Sequence, residues 1–147
     1  MRLLQFIAVI LTALVFAPTG AHLFELPNKI ILPKEQYFIV QSVYRGWALF
    51  GIVIIGAIAA NLVAALALWR RGRRFWPSFA AALILIGTLV VFFVWTQPAN
   101  VATDFWSVAI PGWEKLRAQW EFSHAANAAL SFIALCCAGL SAVLSQD

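Results

Sequence analysis

Four long apolar runs alternate with short polar stretches along the chain. Each run is close to or longer than the roughly 20 helical residues that the hydrocarbon core of a bilayer requires. The pattern therefore predicts an all-α fold, an integral membrane four-helix bundle that forms a single domain over residues 1–147. The predicted spans cover residues 3–26, 40–69, 75–97 and 121–145.

Composition agrees with a membrane protein. Hydrophobic residues make up 63% and charged residues 11% of the chain, whereas about 25% of the residues of a soluble domain are charged. The first run begins with Arg2, which is also typical of a signal peptide. Its apolar stretch continues past Pro18 to Leu26, however, and this length favours a first span that is retained.

The arginines predict the orientation of the bundle. Four of them lie in the turn Arg70–Arg74, and Arg2 precedes the first span, whereas loops 25–39 and 97–121 mix both signs of charge. The positive-inside rule places this turn and both termini in the cytoplasm. We therefore expect an inner (plasma) membrane protein whose other two loops face outward, into the periplasm of a Gram-negative cell. The net charge of +4 is a topology signal or a weak contact with anionic lipid, and it predicts no nucleic-acid partner.

Two mirrored motifs place ionisable residues where a membrane helix usually carries Leu or Val. "HLFE" ends the first span with His22 and Glu25, and "EFSH" opens the last span with Glu121 and His124. Because the two spans run in opposite directions, neighbouring helices would bring imidazole to imidazole, with both carboxylates about 4.5 Å nearer the outer surface. On the last span, polar positions recur every three or four residues and so share one helical face. That face comprises Arg117, Glu121, His124, Asn127 and Ser131.

The sharpest hypothesis for these motifs is a metal site. Two imidazoles and two carboxylates from facing helices suit iron, zinc or manganese, and Glu-x-x-His pairs build di-metal centres in helical bundles. The chain lacks the two further glutamates of a full di-iron set, so we expect one divalent transition metal with open coordination positions. Its ligands would be His22, Glu25, Glu121 and His124.

Three other hypotheses fit the same residues. A histidine beside a carboxylate can move a proton without a metal, or help bind a lipophilic molecule with a polar head. Arg45 would then bind an anionic group of that molecule. Haem between His22 and His124 is less attractive, because the carboxylates add negative charge without a clear role. The cluster could also be a hydrogen-bonded network that only holds the helices together.

Other polar and aromatic positions carry weaker signals. Asn61 stands alone in the second span, where an interhelical hydrogen bond is expected. Five tryptophans crowd the outer side, where they would anchor the protein at the membrane interface or wall an apolar ligand site. These are Trp47, Trp95, Trp106, Trp113 and Trp120.

Three stretches of the chain carry a family resemblance. "AHLFELPNKIILPKEQYFIVQSVYRGW", "TQPAN" and "WEKLRAQWEFSHAANAAL" are similar to the small four-span membrane proteins of the anthrone oxygenase-like family, over nearly the whole chain. The resemblance implies oxidation chemistry on an aromatic or quinone-like molecule. Oxygenase-type members favour a "W…N..R" pattern at the head of the last span, where this chain reads "WEFSHAAN". The matching residues are His22, Glu25, Asn28, Lys29, Gln41, Tyr44, Arg45, Asn100, Glu121 and His124.

The sequence and the resemblance together predict a small membrane oxidoreductase or oxygenase-like protein that acts on a lipophilic compound. Arg45, Tyr44 and Asn100 would serve the catalysis by binding substrate or by supporting the metal ligands. The competing class is a non-enzymatic membrane module, such as a haem or metal carrier or an accessory subunit. A homo-oligomer or a larger membrane complex is compatible with either class.

Overall fold

The computed structural model of the protein describes residues 1–144, apart from the side chains of Arg71 and Arg73. These residues form helices and turns, and no strand occurs among them. The α-helices are α1 (Arg2–Lys29), α2 (Lys34–Gln41), α3 (Phe50–Leu68), α4 (Phe75–Val91), α5 (Gln97–Ala102) and α6 (Trp113–Leu144). Short 3-10 turns cover Ser42–Tyr44, Trp47–Leu49 and Trp69–Arg74, and the π-helical turn Phe92–Thr96 joins α4 to α5.

Four helical segments are each long and apolar enough to cross a membrane, which confirms the predicted all-α bundle. These segments are Arg2–Lys29, Trp47–Leu68, Phe75–Ala102 and Trp113–Leu144. Helix α1 packs against α3 and α6, and α4 packs against the same two helices. Chain neighbours around this ring run antiparallel. The first and last spans are therefore adjacent, as the mirrored motifs require.

The two ends of the bundle differ in chemistry. We refer to the end that holds His22 and His124 as the histidine end. The opposite end, which holds Met1 and the Trp69–Arg74 turn, is the arginine end. Which of the two faces the cytoplasm stays a prediction.

The middle of the bundle is closed by small and branched side chains. One buried residue from each long helix contributes to a shared apolar cluster, namely Val15, Ala57, Leu85 and Ala134. Nearer the arginine end, the Asn61 amide donates a hydrogen bond of 3.0 Å to Thr12 Oγ1. This bond joins α3 to α1 and confirms the interhelical role expected of Asn61; such bonds contribute about 0.6 kcal/mol on average.

The span boundaries differ from those expected from hydropathy. The second span begins at Trp47 rather than at residue 40, because α2 forms a separate short helix and Gly46 has a positive φ of 90°. The other three spans extend further at the histidine end than expected. Helix α1 remains helical through Pro18 and Pro27 to Lys29, and α6 starts at Trp113 rather than at residue 121.

An aromatic cap covers the histidine end. Its buried aromatic members are Tyr37, Trp106, Trp113 and Trp120, and buried Ala99 packs among them. Three of the five tryptophans expected at the outer side, Trp106, Trp113 and Trp120, are therefore buried in the protein, whereas Trp95 is 48% exposed. The loop before α6 carries three consecutive non-glycine residues with positive φ, Asp104, Phe105 and Trp106, at 46°, 53° and 63°. Such residues each cost roughly 1–2 kcal/mol, and here the bend delivers the Trp106 ring into the cap.

Candidate functional site

Two histidines meet at the centre of the histidine end. The ring centroids of His22 on α1 and His124 on α6 lie 4.1 Å apart, with an angle of 38° between the planes. The Trp120 ring lies 5.0 Å from the His22 ring and 4.1 Å from the His124 ring. Each Nδ1 atom is buried and lacks a hydrogen-bond partner within the described chain. The imidazoles thus face each other, as the mirrored motifs predict.

The two glutamates are linked to each other through a lysine and a tyrosine. Lys29 Nζ lies 3.2 Å from Glu121 Oε1, and the two side chains are 3% and 0% exposed. Lys29 also donates a hydrogen bond of 3.0 Å to the Tyr44 hydroxyl, which in turn donates to Glu25. The Tyr37 hydroxyl donates to Glu121 Oε1 at 2.9 Å. A continuous polar chain therefore joins buried Glu121 to exposed Glu25.

Aromatic rings enclose the ammonium group of Lys29. Its Nζ atom lies 4.2 Å from the centroid of the Tyr44 ring and 4.3 Å from that of Trp120. A cation over an aromatic face is attracted by the ring quadrupole, and the attraction increases when water is excluded. The rings and Glu121 together compensate for the loss of hydration, which explains how a lysine is held inside the bundle.

The two tyrosines are held in their neutral form. Burial, together with the nearby carboxylate of Glu121, raises the pKa of Tyr37. Burial and the hydrogen bond to Glu25 likewise raise the pKa of Tyr44. Both hydroxyl groups therefore remain protonated at physiological pH, and each donates a hydrogen bond to a glutamate.

We expect the folded protein to show no tyrosinate absorbance near pH 10, where an unperturbed tyrosine ionises. Tyr37 and Tyr44 are the two tyrosines of the chain, so an ultraviolet titration reports on this site alone. Both tyrosine pKa values are higher in the folded protein than in the unfolded chain. The free energy of unfolding is therefore at its full value below about pH 10 and decreases as the pH rises further, because the unfolded chain releases the tyrosine protons first. Titration of the unfolded chain, and of Tyr37→Phe and Tyr44→Phe, provides the controls. A tyrosinate signal near pH 10 from the folded protein would contradict this assignment.

The three residues expected to serve catalysis differ in their relation to the histidine pair. Arg45 is exposed, and its guanidinium forms no hydrogen bond or ion pair with the described residues. Its expected contact with a substrate stays a prediction. Asn100 Oδ1 instead accepts hydrogen bonds from the indole N–H groups of Trp106 and Trp120, at 3.1 and 2.8 Å. Asn100 therefore positions the ring that contacts both histidines. Tyr44 lies within the site, as expected.

No family model, curated protein or solved structure matches the chain. The resemblance to anthrone oxygenase-like proteins stays a prediction.

Three important residues were not expected in their observed roles. Lys29 was expected in a turn after the first span, where it could line the mouth of the site, and not as the partner of Glu121. It lies four residues after Glu25 and seven after His22, on the same helical face. Tyr37 is buried because α2 folds back over the bundle, and Gln41 supports it by donating a 2.6 Å hydrogen bond to its hydroxyl. The contacts of Trp120 with both imidazoles could not be inferred from spacing within one helix.

The residues present fit a metal ion only in part. In the part of the chain that the structure describes, no group of three or more His, Cys, Asp or Glu side chains could hold a metal ion. One carboxylate oxygen of each glutamate is already engaged, by Tyr44 at Glu25 and by Lys29 at Glu121. Of the four expected ligands, Glu121 contributes Oε2 and the histidines contribute their Nδ1 atoms as buried atoms without a partner among the described residues. A shared metal would therefore require these side chains to rearrange.

An open cleft lies on the surface beside Glu25 and Lys29. It has a volume of about 330 Å³. Apolar side chains and polar groups line the same cleft, and Phe24 at its edge is 75% exposed. The lining residues are Phe24, Glu25, Asn28, Lys29, Leu32 and Val40. The cleft therefore places apolar side chains beside Glu25 and Lys29, whereas His22, His124 and Trp120 are not among its lining residues.

Proposed function

We propose that the protein binds a lipophilic compound with a polar group at the histidine end and exchanges a proton with it. The observation that carries this proposal is the buried Lys29–Glu121 pair beside two imidazoles whose Nδ1 atoms lack partners. Ionisable groups within membrane helices are costly and usually serve a function. Buried polar atoms are normally hydrogen-bonded, so the unpaired atoms favour an additional molecule in the site.

The chemistry of the unpaired atoms indicates the kind of group that would bind. A carboxylate oxygen accepts hydrogen bonds, and a neutral imidazole nitrogen either accepts or donates one. Glu121 Oε2 and the Nδ1 atoms of His22 and His124 would therefore receive a hydroxyl or carbonyl group. An aromatic body attached to that group fits the rings of Trp120 and Tyr44 and the apolar wall of the cleft.

Proton exchange would use the polar chain between the two glutamates. A proton that Glu121 accepts from the compound can pass to Lys29 as Lys29 releases one to Tyr44, and Tyr44 releases one to Glu25. The proton then enters water at exposed Glu25, and every donor regains its original state. The proposed reaction class is proton exchange with a phenolic compound, which is the acid–base part of the oxidation that the family resemblance implies.

Anthrone and the hydrocarbon anthracene form a suitable pair of binding probes. We expect anthrone, which carries the polar group, to quench tryptophan fluorescence saturably in the purified protein. His124→Leu should weaken anthrone binding by about tenfold, because one hydrogen bond contributes up to about 1.5 kcal/mol. Asn61→Leu, which removes a buried polar group outside the site, serves as the control. Equal affinities for anthrone and anthracene, or equal losses in both variants, would refute the proposal.

A metal ion bound by the two histidines is the second candidate. The observation that favours it is the short distance between their rings, with both Nδ1 atoms buried and unpaired. Zinc, iron or manganese could then take Glu121 Oε2 as a further ligand. Elemental analysis and the visible spectrum separate the candidates: stoichiometric metal that disappears in both His22→Ala and His124→Ala supports the metal site, and a Soret band indicates haem.

We further propose that the protein resides in the inner (plasma) membrane with the arginine end in the cytoplasm. The basis is the positive-inside rule applied to the arginine turn.

A further inference from the structure

We propose that the arginine end contains a binding site for an acidic phospholipid, with the lipid phosphate on Arg70 and an acyl chain along Leu66 and Trp69. The site lies at the opposite end of the bundle from the histidines. It does not depend on the function proposed for the histidine end.

Charge is distributed unequally between the two ends. The acidic residues among positions 1–144 all belong to the histidine end. They are Glu25, Glu35, Asp104, Glu114 and Glu121. The arginine end, in contrast, carries the N-terminal amine, Arg2 and the four arginines of the turn. Among residues 1–144, this end therefore carries cations and no carboxylate, and its charge favours an external anion; Asp147, the remaining acidic residue of the chain, lies outside the described residues.

A cleft beside Arg70 combines an apolar wall with a cation. It has a volume of about 430 Å³ and is lined by Leu66, Ala67, Trp69 and Arg70. Leu66 is 69% exposed and Trp69 is 65% exposed. The Trp69 ring packs edge-on against buried Phe75, with centroids 4.9 Å apart at 88°. A phospholipid matches this arrangement, since its phosphate can reach the guanidinium while its acyl chain covers the leucine and the indole.

The position of the cleft favours a membrane lipid over a soluble anion. Trp69 and Trp76 flank the turn, and both are mostly exposed, as expected of aromatic residues at the membrane interface. The end of a span lies at the depth of the lipid headgroups. Neighbouring arginines repel the ammonium of a zwitterionic headgroup, so a phospholipid with net negative charge should bind more tightly.

Lipid titration followed by native mass spectrometry tests this site. The full-length protein, delipidated in a neutral detergent, is titrated with dioleoylphosphatidylglycerol and separately with dioleoylphosphatidylcholine. We expect the protein to bind phosphatidylglycerol more tightly than phosphatidylcholine. Arg70→Gln should bind phosphatidylglycerol about fivefold more weakly than the unmodified protein, because one arginine near an anionic lipid contributes about 1 kcal/mol. Lys115→Gln removes one charge from an exposed residue at the other end and should have little effect. Leu66→Trp, which fills the cleft without changing the charge, should also weaken binding.

Three results would overturn the proposal. Equal losses in Arg70→Gln and Lys115→Gln would mean that only net charge matters. Unchanged binding in Leu66→Trp would mean that the cleft does not hold the lipid. Complete displacement of phosphatidylglycerol by an equal concentration of inorganic phosphate would assign the site to a free anion. A circular dichroism spectrum for each variant establishes that loss of binding does not reflect loss of the fold.

Discussion

Replacing Lys29 by methionine is expected to destabilise the folded bundle by about 3–5 kcal/mol, because it leaves a buried charge without its partner. Methionine retains most of the apolar stem of lysine, so the packing changes little. Glu121 keeps the hydrogen bond from Tyr37, but the cation 3.2 Å away disappears. The measurement is equilibrium unfolding in mixed micelles with increasing SDS.

The double variant Lys29→Met/Glu121→Gln provides the decisive comparison. It removes both charges, so we expect it to be more stable than the sum of the two single changes predicts. Lys34→Met is the matched control, since Lys34 lies 3.8 Å from Glu35 but the two side chains are 50% and 76% exposed. Exposed pairs contribute at most about 1 kcal/mol. If Lys29→Met and Lys34→Met lowered the free energy of unfolding by similar amounts, the buried Lys29–Glu121 pair would contribute no more to stability than an exposed pair.

The meeting of the two histidines could be predicted because it depends on simple geometry. Four apolar runs with short connections favour antiparallel neighbours, and His22 and His124 occupy equal depths in opposite directions. Only the adjacency of α1 and α6 had to be assumed. The same geometry could not show what the carboxylates contact, because a glutamate suited to a metal is equally suited to a lysine.

Lys29 was not expected inside the bundle because hydropathy ended the first span at residue 26. The helix in fact continues for another turn, and this turn carries Lys29 inward on the face that already holds His22 and Glu25. Its ammonium group forms an ion pair with Glu121 and is linked through Tyr44 to Glu25, so it occupies the place between the carboxylates that the sequence analysis gave to a metal ion. A metal that shared both glutamates would have to displace it.

Tyr37 and the aromatic cap depend on tertiary contacts that no periodicity reveals. Helix α2 has eight residues and lies in a segment that the sequence divided between a loop and the second span. Its burial of Tyr37 depends on the Trp106 ring, 5.2 Å away, which comes from a loop with unusual backbone angles. Local sequence propensity carries no information about such a contact, so the positions of Tyr37 and of the aromatic cap could not be predicted from the sequence.

Trp120 unites the cap with the histidines, and Trp120→Ala is expected to impair both stability and ligand binding. The side chain is 4% exposed, and truncation of a buried tryptophan typically costs about 3–5 kcal/mol. The variant also removes a ring that lies 4.1 Å from His124 and 4.3 Å from Lys29 Nζ. We therefore expect anthrone affinity, measured by isothermal titration calorimetry at a temperature where the variant remains folded, to fall by at least about tenfold.

Trp113→Ala separates the structural from the functional contribution of Trp120. Trp113 lies seven residues earlier on α6, is 9% exposed, and packs against Tyr37 and Phe38 at 5.8 and 5.5 Å. Its loss should reduce stability by a similar amount, because a similar aromatic area leaves the cap. It should leave anthrone affinity nearly unchanged, since no ring contact joins it to either histidine among the described residues. If both variants lost anthrone binding equally, the cap as a whole would hold the ligand, and the assignment of the site to the histidine pair would be wrong.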